Sequence, residues 1–137
     1  DTNIRVYSDS LLVRGINTKL LLENGHKISK VSKMSDYDVQ QAVERIGLSD
    51  KKDVKVGYYL NNFIISAINF DEYKFNRLFI KALNEFDFIV FYKVIILPLL
   101  KRVGLLWLTN KMSPSQEHFL SELINKPKIN LPKVPEF

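Results

Sequence analysis

The stretch LPLLKRVGLLWLTNKMSPSQEHFLSELI, residues 97–124, decides how this chain is read. Its first half is apolar at helical spacing and runs to Trp107, the only Trp in the sequence. A polar break follows. Ser113 then offers an N-cap, Pro114 suits the first helical position, and Gln116 stands at capping-box distance from Ser113. The spacing predicts one helix ending at about Leu108 and another running from Pro114 to about Asn125, with Phe119, Leu120, Leu123 and Ile124 inward. Trp107 closes the first helix, and Glu117-His118 opens the second. This arrangement lets all three groups crowd one end of a helical body and face outward.

Residue types alone leave two readings of that corner. In one, Trp107 is a core aromatic, Glu117 favours the positive helix N-terminus, and His118 is a surface or satisfied core residue. In the other, an indole plate beside a carboxylate and an imidazole suits a flat or ribose-bearing ligand. The plate gives apolar contact and the polar groups fix orientation.

Working outward, residues 88–108 form the most apolar segment, but Lys93, Lys101 and Arg102 interrupt it. No run of 18 uncharged apolar residues exists, so it reads as a buried core helix rather than a membrane span. Pro98 is expected to kink it or break its hydrogen-bond ladder locally. Upstream, Asp71 caps a helix over 72–86 with Phe75, Leu78, Phe79, Ala82, Leu83 and Phe86 on one face. Another helix covers about 54–69, with Val56, Leu60, Phe63, Ile64, Ala67 and Ile68 as its stripe. The aromatic series Phe70, Tyr73, Phe75, Phe79, Phe86, Phe88, Phe91 and Tyr92 reads as core packing. The polar LSDKKD at 48–53 reads as a linker and domain boundary.

Before it, IRVY at 4–7 reads as a short strand. Ser8 or Asp9 caps a helix to Glu23 with Leu12, Ile16, Leu20 and Leu21 inward, and Asn24-Gly25 stops it. A short helix over 26–34 puts Ile28, Val31 and Met34 inward. Ser35 caps a third helix, which Gly47 ends. The tail 127–137, with three prolines, reads as an extended linker.

Composition narrows the function classes. The 137 residues are 46% hydrophobic, with nine Phe and six Tyr, enough for a packed core. Five Gly and five Pro favour helices over a sandwich. Without Cys there is no disulfide framework or thiolate metal site, and two His in different predicted domains make no His-rich site. The paired carboxylates Asp36/Asp38 and Asp71/Glu72 stand at helix starts, where capping accounts for them. No Ser/His/Asp set, P-loop or dinucleotide fingerprint occurs, so the expectation is a non-enzyme with no metal ligands and no catalytic residues. The net charge of +5 is compatible with a nucleic-acid partner. Arg5 and Tyr7 are either an ordinary edge pair or phosphate-contacting residues.

Two segments resemble MerR-family regulators of the CarH/LitR type, which are B12-dependent, light-sensing repressors. The pattern PLL-x-x-VG-x-x-W, nine residues, then EHF-x-S, from Pro98 to Ser121, is similar to the helical half of their cobalamin-binding module. The N-terminal IRVYSDSLLVRGINTKLLLENGHKISKVSKMS resembles the end of their winged helix-turn-helix domain. The resemblance implies an all-α architecture. Its divisions are the C-terminal part of a MerR-type DNA-binding domain at 1–48, a four-helix cobalamin-binding cap at 49–126, and a linker at 127–137. It implies that Trp107 caps the upper corrin face beside the adenosyl group of adenosylcobalamin, that Glu117 bonds the adenosyl ribose, and that His118 lines the same pocket. It implies that Arg5 and Tyr7 lie in the DNA-contacting wing.

In that family, light breaks the cobalt–carbon bond, the oligomer falls apart and the repressor leaves DNA. The implied protein is therefore a cytoplasmic homo-oligomer, dimeric or tetrameric, with DNA and cobalamin as partners and no membrane association. The recognition helix and the D-x-H-x-x-G cobalamin domain of the family have no counterpart here. The chain is thus expected to be an internal fragment that binds cobalamin and DNA poorly by itself. Helical caps of corrinoid methyl-transfer proteins are similar, and a ligand-sensing or dimerisation bundle without cobalamin is a further alternative.

Overall fold

The computed structural model describes residues 8–126. The expected strand at 4–7, with Arg5 and Tyr7, and the tail 127–137 lie outside the described residues. Within them every regular element is helical: α1 Asp9–Glu23, α2 Ile28–Val31, α3 Asp36–Ile46, α4 Lys52–Ile68, α5 Glu72–Glu85, α6 Phe88–Phe91, α7 Leu97–Leu108 and α8 Pro114–Asn125. A π-helical turn, Tyr92–Ile96, joins α6 to α7.

Local chemistry sets most boundaries. Ser8, Ser35, Asp71 and Ser113 each accept a hydrogen bond from the backbone N–H three residues on, which satisfies an orphan donor of the first helical turn. Helix α1 ends as Asn24-Gly25 predicts. Gly25 has a φ of +94°, and the N–H groups of Gly25 and His26 close back on the carbonyls of Leu22 and Leu21. Gly47 ends α3 for a different reason. Its φ is an ordinary −64°. A Cβ there would lie 2.6 Å from Cε1 of Tyr58, so Gly47 is where α3 meets the first turns of α4.

Helix α4 is the axis of the molecule. It contacts α1, α3, α5, α7, α8 and the π turn, and it is buried on all sides from Tyr58 to Ile68. The expected one-sided stripe is thus too narrow. Asn61, Asn62 and Ser66 are buried with the apolar residues. Asn61 donates to Asn17 Oδ1 of α1 at 2.7 Å, Asn62 to the Tyr58 carbonyl and Ser66 to the Phe63 carbonyl. One continuous core runs from Leu12 to Leu123. The polar stretch at 48–53 is therefore a turn and the start of α4 between packed helices, and α1 and α3 rest directly on α4. Arg14 ties α1 to the α2–α3 corner, donating to the carbonyls of Val31 (3.0 Å) and Met34 (2.9 Å) and pairing with Asp36 (2.8 Å). Val31 is buried as expected, but Ile28 faces solvent. Helix α2 is a single turn, and Ile28 stands at its exposed start.

A polar cluster joins the start of α4 to the end of α5. Lys55 pairs with Glu85 at 2.7 Å, and the Tyr59 hydroxyl donates to the same carboxylate. Burial pushes the Glu85 carboxyl up. The hydrogen bonds from Lys55 and Tyr59 and the charges of Lys55 and Lys81 outweigh it, and the net shift is downward. Burial and the bond to Glu85 together push the Tyr59 phenol well above its ordinary range.

Two stability predictions arise here. Gly47→Ala should destabilise by about 1–3 kcal/mol because the methyl overlaps the Tyr58 ring. Gly15→Ala, at a helical position where nothing lies within 4 Å, should stabilise by about 0.5–1 kcal/mol. Urea denaturation giving the same sign for both would contradict this geometry. Glu85→Gln should cost about 1.5–3 kcal/mol at pH 7, as for hydrogen bonds to a charged group. A depressed carboxyl stabilises above the unfolded-state value of about 4.3 and loses that contribution as pH falls through the lower folded value. The gap between wild type and variant should therefore narrow in melts taken at decreasing pH below the unfolded-state value of about 4.3.

Candidate functional site

The segment 88–108 is one uninterrupted helical path, as expected, with a register change inside it. Pro98 has no N–H to offer the carbonyl of Val94. Just before it the ladder widens, and the Leu97 N–H donates to the Tyr92 carbonyl five residues back. Phe91, Ile95, Ile96, Leu99 and Val103 all turn inward across this change.

The other side of this path corrects the expectation of a buried core helix. Ile89, Val94, Leu97, Leu100, Trp107 and Leu108 are exposed. Four of the eight aromatics expected in the core (Phe75, Phe79, Phe86 and Phe91) are buried, whereas Phe70, Tyr73, Phe88 and Tyr92 are exposed. The segment carries apolar residues around most of its circumference but has neighbours on one side only, so an apolar band stays uncovered. Trp107 is 43% exposed and belongs to this uncovered band, not to the core. Gly104 lies one turn before it. Nothing is within 4 Å of where its Cβ would be, so the helix backbone is open to close approach there. A half-exposed indole, an open glycine and flanking leucines make an apolar surface, edged by the exposed Lys101.

The turn after Trp107 is rigidly specified. Asn110 takes a left-handed φ of +59°, a conformation asparagine tolerates. Asn110 and Lys111 close back on the carbonyls of Trp107 (3.0 Å) and Leu106 (2.8 Å), and Met112 is buried. Then comes the predicted capping box. The Ser113 N–H donates to Gln116 Oε1 at 2.8 Å, and the Gln116 N–H donates to Ser113 Oγ at 3.1 Å. Gln116 does more than the sequence suggests. It is buried, and its Nε2 donates to the carbonyl of Ile68 at 2.9 Å and to Asp9 Oδ1 at 3.0 Å.

Glu117 and His118 follow directly. Glu117 is half-buried, and its Oε2 accepts from Ser121 Oγ at 3.0 Å. His118 is exposed, with Nε2 3.4 Å from Glu122 Oε2 one turn on. It opens onto a shallow hollow lined by Ser121, Glu122, Asn125 and Lys126, which Trp107 does not line. Trp107 and the Glu-His pair stand on either side of one turn, and the hollow beside His118 does not include Trp107. No hydrogen bond, ion pair or ring contact links them among the described residues. The same residues hold no cluster of three or more His, Asp or Glu side chains suited to a metal ion. No described helix is long and apolar enough to cross a membrane.

Sequence reasoning missed Gly104 and the exposed leucines as parts of this surface. The available signal was the all-round apolarity of 88–108, whose three cations cannot be buried.

Residues 59–126, from the middle of α4 to the end of α8, match the family model of the B12 binding domain. Comparison with curated proteins and with solved structures found no match. The family match supports a cobalamin-binding helical cap, and its span contains Trp107, Gly104, Glu117 and His118.

If Trp107 serves a surface, removing it should cost the fold little. Trp107→Ala should lower stability by no more than about 1 kcal/mol, against about 3–5 kcal/mol for Phe63→Ala at the centre of the core. Equal losses in denaturant titrations would return Trp107 to the core.

Proposed function

We propose that this chain supplies the upper-face helical cap of a cobalamin-controlled, DNA-binding transcriptional repressor. The observation that carries the cobalamin part is the uncovered apolar band at Trp107 and Gly104 inside a span matching B12 binding domains. An apolar face on the side of a helix that no other element covers invites a cover. A corrin ring supplies one that is broad and flat. Trp107 would lie against it. Glu117, held by Ser121 in the first turn of α8, would accept a hydrogen bond from a hydroxyl at the rim, such as the ribose of adenosylcobalamin. His118, which opens onto the neighbouring hollow, would meet the ligand only where its periphery extends over the start of α8. Cobalamin, when bound, would supply the cobalt–carbon bond as the element that light or chemistry alters. The chain's part is to bind, orient and exclude water.

The regulatory part rests on the N-terminal resemblance to the MerR wing, with Arg5 and Tyr7 as DNA-contacting residues. The intact protein would then be a homo-oligomeric, non-enzymatic regulator in the cytoplasm, with a further domain supplying the lower wall of the cobalamin site.

The intact protein purified with adenosylcobalamin in the dark should retain a corrin spectrum. Green light should alter that spectrum, shift the size-exclusion profile and release DNA. Trp107→Ala and Gly104→Leu should each weaken cobalamin retention by about tenfold or more, because both spoil a flat apolar contact. Wild-type retention in both variants would sink the assignment of this face. Retention without light or DNA effects would leave a cobalamin-binding cap and remove the photoreceptor reading.

A further inference from the structure

A second surface of α7 carries a different geometry. At about 100° per residue, Arg102 lies about 140° around the helix from Trp107, with Leu105 and Leu106 beside it on the same flank. That flank faces α1 across α4, and the three helices enclose a groove of about 570 Å³. Its walls are apolar, with Leu12, Ile16 and Leu20 on α1 and Ile64 on α4. Two glycines shape it. Gly57 forms part of the floor, with Leu20 Cδ1 3.4 Å from where its Cβ would be. Gly15 stands at the lip with nothing within 4 Å. Asn61, the polar residue of the floor, is already engaged with Asn17. The charged residues of the lining are Lys19, Arg102 and Lys111 against Glu23, a local balance of three positive to one negative.

We infer that this groove binds a small anionic amphiphile, a medium-chain aliphatic carboxylate, with its chain along the leucines and its carboxylate at Lys19 and Arg102. The volume falls within the range of roughly 300–1,000 Å³ typical of small-molecule sites. An apolar lining that carries a net positive charge is complementary to an acyl chain with one negative end. The inference concerns a face other than the cobalamin face and does not rest on that reading.

The test uses the full chain without cobalamin and decanoate below its micellar range, followed by calorimetry and by amide NMR shifts. The expected result is one-to-one saturable binding that perturbs Gly15 and Gly57 and leaves the Trp107 indole unmoved. Arg102→Glu, an exposed position that leaves the core intact, should weaken binding about tenfold. Gly15→Leu should abolish binding by filling the groove, with circular dichroism confirming the fold. Equal affinity for decyltrimethylammonium would show that the rim recognises no anion and would overturn the proposal. Shifts centred on Trp107 would do the same by moving the ligand to the other face. An absence of binding, with a change of oligomeric state in Gly15→Leu, would overturn it in favour of contact between copies of the chain.

Discussion

The placement of the candidate site depends on one buried side chain, Gln116. Its backbone and carbonyl oxygen complete the capping box with Ser113, which any sequence of that pattern would do. Its amide nitrogen is what ties the molecule together. It gives one hydrogen bond to the Ile68 carbonyl, an orphan at the C-terminal end of α4, and another to Asp9 in the first turn of α1. Three helix termini thus converge on one amide. Leaving such a group unpaired in the interior costs about 1–3 kcal/mol, so the three ends are held in register and not merely adjacent. Glu117 and His118 are the next two residues. Their direction follows from where Gln116 must point.

The same logic explains why α4 tolerates polar residues along its buried length. A helix with neighbours on all sides has no solvent face to receive Asn61, Asn62 and Ser66. Each instead finds an acceptor close by, Asn62 and Ser66 in their own helix and Asn61 across to Asn17. Among the described residues no buried side-chain polar atom lacks a partner. The apolar contacts of α4 give the affinity between helices. The Asn61–Asn17 pair and the Gly57–Leu20 approach fix where α1 sits along it.

Features decided within a few residues were legible in the sequence. The caps at Ser8, Ser35, Asp71 and Ser113, the stop at Asn24-Gly25 and the corner between Trp107 and Glu117 all follow from local hydrogen-bond geometry. What depends on neighbours was not legible. Ile28 looks like a core residue by type, but it stands at the start of the one-turn α2 with no core covering it, while Val31 is buried. The polar 48–53 stretch looks like a boundary, yet Gly47 and Tyr58 interlock across it. Half of the aromatic series is exposed because periodicity shows that a residue is apolar, not that something covers it. The same limit applies to the site. The spacing of Trp107, Glu117 and His118 was plain, but that His118 opens onto the outer face of α8, on a hollow Trp107 does not line, needed the structure. Arg5 and Tyr7 lie outside the described residues.

The uncovered band on 88–108 also has a mechanical origin. In an unbroken α-helix, inward positions four residues apart drift by about 40° each, so Phe91 to Val103 would spread over about 120° of the helix. Pro98 removes one donor, and the π turn ahead of it inserts extra arc, letting Phe91 and Ile95 on one side of the change and Leu99 and Val103 on the other reach the same core. The cost is a widened, less regular stretch with Val94 and Leu97 on the outside. A helix that needed only to pack could have used polar residues there at no loss. Apolar residues at Leu97, Leu100, Trp107 and Leu108, with no side chain at Gly104, make structural sense when this face is itself a contact surface. That is why the band, more than any single residue, marks this face as a contact surface.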